Sequence, residues 1–119
     1  MTTEVEIAST TTGTHASVAD VSELLSAAYR GEVYAVSRFL DERKDHGLTP
    51  DSADYDLRSA LHLASSEGAL ECVKLLVKRG AFVNCKDRRN GTPLDDAIRH
   101  NHKETTEYLI ENGGKTGDD

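Results

Sequence analysis

Cysteine is scarce in this chain of 119 residues: Cys72 and Cys85 are too few for a disulfide framework or a four-ligand zinc site. Long apolar runs are missing as well. The longest, such as Leu75-Leu76-Val77, reach three or four residues, against the roughly 18 that a membrane span requires. No charged start leads into an apolar stretch of about 7–15 residues, so no secretory signal is expected. Positive charge is in deficit, with 14 Lys+Arg against 21 Asp+Glu and a formal net charge of −7. A net acid without a segregated basic face is not drawn to nucleic acid or to an anionic membrane. Hydrophobic residues make up 37% and charged residues 29%, polar for a globular protein but short of wholesale disorder. These absences leave a soluble, single-domain intracellular protein, expected in the cytoplasm with the nucleus open as an alternative.

The two ends carry little pattern. Residues 1–19 are dominated by Thr and Ser, with Thr10-Thr11-Thr12-Gly13-Thr14 at the centre, and Val5 and Ile7 make no periodic face. The segment reads as a disordered arm. Residues 114–119 read as a disordered tail. Gly114-Lys115-Thr116 has the letters of a phosphate-binding loop, but that spacing needs glycine at 109, where Leu109 stands.

Between the ends lies an internal repeat. Asp54-Tyr55-Asp56-Leu57-Arg58-Ser59-Ala60-Leu61 aligns with Asp87-Arg88-Arg89-Asn90-Gly91-Thr92-Pro93-Leu94 at an offset of 33. Downstream, Gly68 falls on Asn101, Leu76 on Leu109 and Gly80 on Gly113. An earlier copy aligns at an offset of 37, placing Ala27 over Ala64 and Gly31 over Gly68. Such a period points to a solenoid.

Local punctuation says what each copy encodes. Thr92-Pro93 pairs an N-cap hydroxyl with the helical position where proline costs nothing. Ser59-Ala60 does the same less strongly, and Asp20 with Glu23 has the spacing of a capping box. The first helices are expected to stop at Gly31, Gly68 and Asn101, residue types that tolerate the left-handed conformation. Second helices are expected from Val33 to about Arg43, Leu70 to Arg79 and Lys103 to Asn112. Leu70, Val73, Leu76 and Val77 form a buried stripe on the middle one. Ala81 to Asp87 and the polar turn after it suit a projecting, hairpin-like loop.

Ser59-Ala60-Leu61-His62-Leu63-Ala64 and Leu70 through Asn84 resemble the signature and second helix of the ankyrin repeat. The resemblance covers Val21 to Gly113 and implies an all-α ankyrin-repeat solenoid of about three helix-turn-helix repeats with projecting loops, in repeats of about 20–53, 54–86 and 87–113. Asp95 replaces the signature histidine in the third copy, and the first has neither the Thr-Pro nor the histidine. Leu24 to Val33, Asp54 to His62 and Lys86 to Ala97 are also similar to the ankyrin tails of glutaminases and to those of plant ankyrin kinases and potassium channels. The resemblance implies a protein-interaction module, scaffold or adaptor, or else a regulatory tail or inhibitor of an enzyme or channel.

Catalytic constellations are not found, and neither an enzyme nor any cofactor or metal is expected. His62 reads as a histidine bonded to the Ser59 cap and the neighbouring loop, with no Cys or Asp at helical spacing beside it. His100 and His102 read as exposed surface, Cys72 as a small core residue, and Cys85 as the more accessible thiol. Asp95 and Asp96 read as solvated helix-start acids. Thr105 and Thr106, in place of Cys72 and Val73, are expected to give the last repeat a wet outer face.

The expected partner is another protein, bound on the concave face that first helices and loops share in such a stack. The candidate contact residues are Tyr29, Arg30, Tyr55, Asp56, Arg58, Glu67, Arg88, Arg89, Arg99 and His100, with Ser66 among them. Tyrosine and arginine most often carry interface energy, which singles out Tyr55 and Arg89 as anchors. Arg88 and Arg99 would steer an acidic patch, unless these are ordinary solvated charges. A monomer is expected.

Overall fold

The computed structural model describes residues 16–118; of the disordered arm expected at 1–19, residues 1–15 lie outside them, and Ser17 to Ala19 are instead ordered as the cap and first turn of a helix. Among the described residues the regular elements are helices: α1 (Val18–Tyr29), α2 (Val33–Glu42), α3 (Ala60–Ser66), α4 (Leu70–Lys78), α5 (Pro93–Arg99) and α6 (Lys103–Glu111), with a 3₁₀ turn at Lys44–His46. α1, α3 and α5 pack side by side as one row, and α2, α4 and α6 as a second row behind it. The result is an all-α stack of three helix pairs, 50 × 30 × 20 Å.

Each helix end follows from local chemistry. Gly31, Gly68 and Asn101 have φ of 73°, 68° and 62°, the left-handed residues that turn each first helix into its second. α3 and α5 both start on capping boxes, Ser59 with His62 and Thr92 with Asp95. Small inner-row residues let the first helices approach: Ala28, Ala64 and Ala97 are fully buried, alongside Leu24, Leu61 and Leu94. In the second helices, Val36, Val73, Leu76 and Leu109 close the core behind them. Cys72 is one of its buried residues, as its place in the repeat predicts.

Three sequence expectations change. α1 is capped by Ser17, whose hydroxyl accepts from the Asp20 amide at 3.0 Å, so Asp20 is not the cap. A hydroxyl three residues upstream already satisfies that amide, which frees Asp20 and Glu23 to bind Arg43 from across the repeat. The Arg43 guanidinium lies 4.4 Å from the centre of the Phe39 ring and covers it.

The tail is the second change, because residues 114–118 fold back on the last repeat. Thr92 Oγ1 donates to the Lys115 carbonyl at 2.7 Å, and the Lys115 amide donates to Asn84 Oδ1 at 2.7 Å. The Gly117 amide donates to Asp95 Oδ2 at 2.9 Å, and Gly117 is buried. Asp95 stands where His62 stands one repeat earlier, and His62 Nε2 bonds the next loop at the Gly91 carbonyl, 2.9 Å away. A carboxylate at that position calls for an amide instead, and the tail supplies one.

Third, Thr105 is buried at 2% exposure, not wet, because its place matches Cys72 inside the core. Thr106 is half-buried, with its hydroxyl donating to the His102 carbonyl at 2.8 Å. The residues left open at this end are apolar: Ile98 is 47% and Ile110 is 55% exposed. Their equivalents Ala28, Ser65 and Leu40 are buried, and Val77 is half-buried.

Candidate functional site

Two loop tips project from the stack, and one turn geometry builds both. Asp54 Oδ1 accepts from the amides of Asp56 and Arg58, each at 2.9 Å, closing the first tip. Asp87 Oδ1 accepts from the amides of Arg89 at 2.9 Å and Gly91 at 2.8 Å, closing the second. Such side-chain-closed turns follow from aspartate's short reach to the backbone two residues on. Ala53 and Ser59 pair in a single antiparallel bridge at the base of the first tip. The Arg88 amide donates to the Asp56 carbonyl at 3.0 Å and joins the two tips.

Beneath the tips a groove of about 580 Å³ opens on the inner row of helices. From the first tip it takes Asp56 and Arg58, and from the second Arg88 and Arg89. Ser66, Arg99 and His100 close it from the ends of α3 and α5. These residues come from four separated places in the sequence, and the fold brings them onto one wall. Tyr29, Arg30 and Glu67 are exposed at the ends of α1 and α3, and they do not line this groove. Tyr55, 84% exposed, stands at its edge and lines a second groove with Arg58.

The charges in the groove are unequal in freedom. Arg58 pairs with Asp54 at 3.1 Å, and Arg99 with Asp96 at 2.9 Å. Arg88 stacks on Tyr55, its guanidinium 4.9 Å from the ring centre. Among the described residues the Arg89 side chain has no hydrogen-bond or ion-pair partner. Of the four arginines that line the groove, Arg58, Arg88 and Arg99 have such partners and Arg89 does not.

Asp96, at the groove floor, is not a solvated helix-start acid. It is only 9% exposed, in the place that Leu63 takes one repeat earlier. Burial pushes its carboxyl above the usual carboxylate range, against the pull of His62 and Arg99. Asp95 moves the opposite way. Burial would raise it, but the amides of Thr92 and Gly117 and the Thr92 hydroxyl outweigh burial and hold it low.

Contacts between repeats add what spacing alone did not show. His62 has the expected bonds: its Nδ1 accepts from the Ser59 amide at 3.1 Å, and Nε2 meets the Gly91 carbonyl. The half-buried Cys85 also sits beside it, with Sγ 3.8 Å from His62 Nδ1 and 3.4 Å from Ser59 Oγ. Burial works to lower the imidazole, and Cys85, the Gly91 carbonyl and Asp96 together raise it. His102 is not exposed surface: it is half-buried, and its Nε2 meets the Ser66 carbonyl at 2.9 Å.

Leu63, Asp87, Gly91 and Asp96 also line the groove and were not among the expected contacts. Leu57, at the first tip, has φ of 62° and is 47% exposed. Its equivalent is Asn90, φ 68°, a residue suited to that conformation. The alignment at 33 already set a leucine over an asparagine, and that mismatch was the available signal.

The family model described as "Ankyrin repeats (3 copies)" matches residues 24–118. The chain belongs to the ankyrin repeat family. Repeats of this family generally mediate protein–protein interaction. The chain is 45% identical over 92 residues to the mitochondrial liver isoform of glutaminase from Mus musculus, covering 75% of this chain and 14% of that protein. It is 42% identical over 73 residues to potassium channel GORK of Arabidopsis thaliana, covering 61% of this chain and 9% of the channel. Protein phosphatase 1 regulatory subunit 27 of Mus musculus is 38% identical over 84 residues, covering 71% of this chain and 53% of that protein. The chain thus spans about a seventh of the glutaminase and about half of the phosphatase subunit. No described helix of this ankyrin stack is long and apolar enough to cross a membrane.

Proposed function

We propose that the ankyrin stack seats a partner protein across the loop tips and the groove below them, with Tyr55 and Arg89 as anchors. The observation that carries this reading is the convergence of Asp56, Arg58, Arg88, Arg89, Arg99 and His100 on one groove wall. The Tyr55 ring is held by Arg88 and exposed, so binding costs little side-chain ordering there. Arg89 offers an uncommitted guanidinium, the donor set that suits a carboxylate. The partner is a protein with an acidic patch, neither nucleic acid nor membrane. Arg88 and Arg99 add steering that acts on the association rate and fades with salt. Tyr29, Arg30 and Glu67 lie on the same side and extend the contact beyond the groove. The module works inside the cell as a monomer, without cofactor or catalysis of its own.

The test compares two pairs of changes in a cross-linking capture from a cell extract. Tyr55→Ala with Arg89→Ala removes the anchors, and Lys74→Ala with Lys78→Ala alters the opposite, convex side. Loss of the captured partner with the first pair and retention with the second is the expected result. The reverse pattern overturns the reading.

The relatives favour a second reading, a regulatory ankyrin segment or inhibitor acting on an enzyme or channel. The chain corresponds to 14% of the glutaminase and 9% of the channel, a small appendage in each. Sequencing the gene on both sides of this reading frame separates the two. An adjoining catalytic or channel domain supports the appendage.

A further inference from the structure

The chain holds four tyrosines, and Tyr55 differs from the other three. Tyr29 ends α1, Tyr34 lies in α2, and Tyr108 is half-buried in α6. Tyr55 stands on the first loop tip, 84% exposed, and among the described residues its hydroxyl has no hydrogen-bond partner. Tyr34 is as exposed, at 88%, but sits within a helix.

Charge sets Tyr55 apart as well. Asp54 and Asp56 flank it on both sides, whereas Ala28 and Arg30 flank Tyr29, Val33 and Ala35 flank Tyr34, and Glu107 and Leu109 flank Tyr108. An acidic flank draws an enzyme whose substrate cleft is basic. A kinase must also bring the acceptor hydroxyl in line with the γ-phosphorus of ATP. A projecting tip carries its side chain into such a cleft, where a helix would first have to unwind.

The ring already lies beside groups that bind phosphate. The Arg88 guanidinium covers it at 4.9 Å, and of the Arg88 side-chain nitrogens only Nε is bound, to the Tyr55 carbonyl. Arg89, the next residue, is the groove arginine without a partner. Arg58 is taken by Asp54 at 3.1 Å and is not needed. Guanidinium groups are the strongest side-chain partners of phosphate oxygens.

We propose that Tyr55 is the acceptor of a protein tyrosine kinase, and that Arg88 and Arg89 receive the phosphate. Tyr55 Oη attacks the γ-phosphorus of ATP, an O–P bond forms, the bond to the ADP oxygen breaks, and the phenolic proton passes to the kinase's catalytic carboxylate. The product adds about 1.5–2 negative charges at neutral pH. It occupies Arg89 and closes the tips to an acidic partner. That consequence rests on the binding reading above, whereas the modification itself does not.

The experiment treats the full chain with ATP and a tyrosine kinase that prefers acidic substrates, and maps the product by peptide mass spectrometry. Phosphate is expected on Tyr55 ahead of Tyr29, Tyr34 and Tyr108, and Tyr55→Phe should abolish it there. Asp56→Asn should slow transfer several-fold, since the Asp54 side chain, not that of Asp56, closes the tip. In the phosphorylated chain, phosphorus NMR should place the second ionisation of the phosphate below that of free phosphotyrosine, about 6. Arg88→Ala with Arg89→Ala should remove that shift. No transfer to Tyr55, or transfer first to another tyrosine, overturns the proposal. An ionisation equal to that of free phosphotyrosine overturns the role of the two arginines. Partner capture is not among these readouts, so either failure leaves the binding reading standing.

Discussion

The Arg88 Nε donates to the Tyr55 carbonyl at 2.6 Å while its guanidinium lies over the Tyr55 ring, 4.9 Å from the centre. One side chain thus fixes both the backbone and the ring of a residue 33 positions earlier. Arg88→Ala should release the first tip without touching the core. Amide exchange should quicken at residues 54–58 and stay unchanged in α4, while the melting temperature moves little. Unchanged exchange at the tip would show that Asp54 alone holds it.

Leu57 gives a prediction of gain. A leucine in the left-handed region costs about 1–2 kcal/mol that asparagine or glycine avoids in part. Leu57→Asn should therefore stabilise the chain by up to about 1 kcal/mol in urea unfolding. If Leu57 is part of the binding surface, the same change should weaken partner capture. A loss of stability would mean that the leucine side chain packs better than its half-exposed position indicates.

Leu76 is fully buried in the central pair, where both neighbouring repeats lean on it. Leu76→Ala should cost about 2–5 kcal/mol, a large share of the stability of a domain this small. Denaturant titration followed by circular dichroism measures it, and a cost below 1 kcal/mol, roughly a methylene's worth, would contradict a single shared core.

Gly117 tests the tail. A Cβ there would strike the Asn90 carbonyl oxygen, a backbone atom that has no rotamer through which to retreat. Gly117→Ala should detach residues 114–118, exposing the Asp95 carboxyl and costing about 1–3 kcal/mol. Protease nicking after Lys115 should rise in parallel.

Asp95 and Asp96 should titrate on opposite sides of the usual carboxylate range, and carbon-detected carboxyl titration can follow each. The Asp95 carboxyl is depressed in the folded state, so its stabilisation is present above its unfolded pKa and is lost as pH falls through the folded value. The Asp96 carboxyl is raised, so its contribution is present below the unfolded pKa and is lost as pH rises through the folded value. Asp95→Asn should therefore destabilise at neutral pH and become neutral in acid. Asp96→Asn should cost less at neutral pH than in acid, where wild type holds this carboxyl protonated. Identical pH profiles for the two variants would overturn the assignment.

The period of 33, the Thr92-Pro93 start and the ends at Gly31, Gly68 and Asn101 were legible because each rests on a backbone requirement met within a few residues. That Arg58, Arg88, Arg89 and Arg99 line one groove was readable once the period was known, since equal places in a repeat share one side. Cys85 beside His62 was not readable, because a contact across 23 residues depends on how far one repeat leans on the next. Nor was the burial of Asp96 and Thr105, polar letters in apolar places. The tail was misread because its glycines suggest no structure, whereas its bonds come from Asn84, Asn90, Thr92 and Asp95, all upstream of it.

The stack has unlike ends. At the first repeat, Arg43 bridges Asp20 and Glu23 and roofs the Phe39 ring, so charge covers that ring. At the last, Ile98 and Ile110 occupy places whose earlier counterparts lie under a neighbour. A helix pair grafted after α6 would meet bare isoleucine side chains, whereas one grafted before α1 would have to part Arg43 from Asp20 and Glu23 to reach the Phe39 ring.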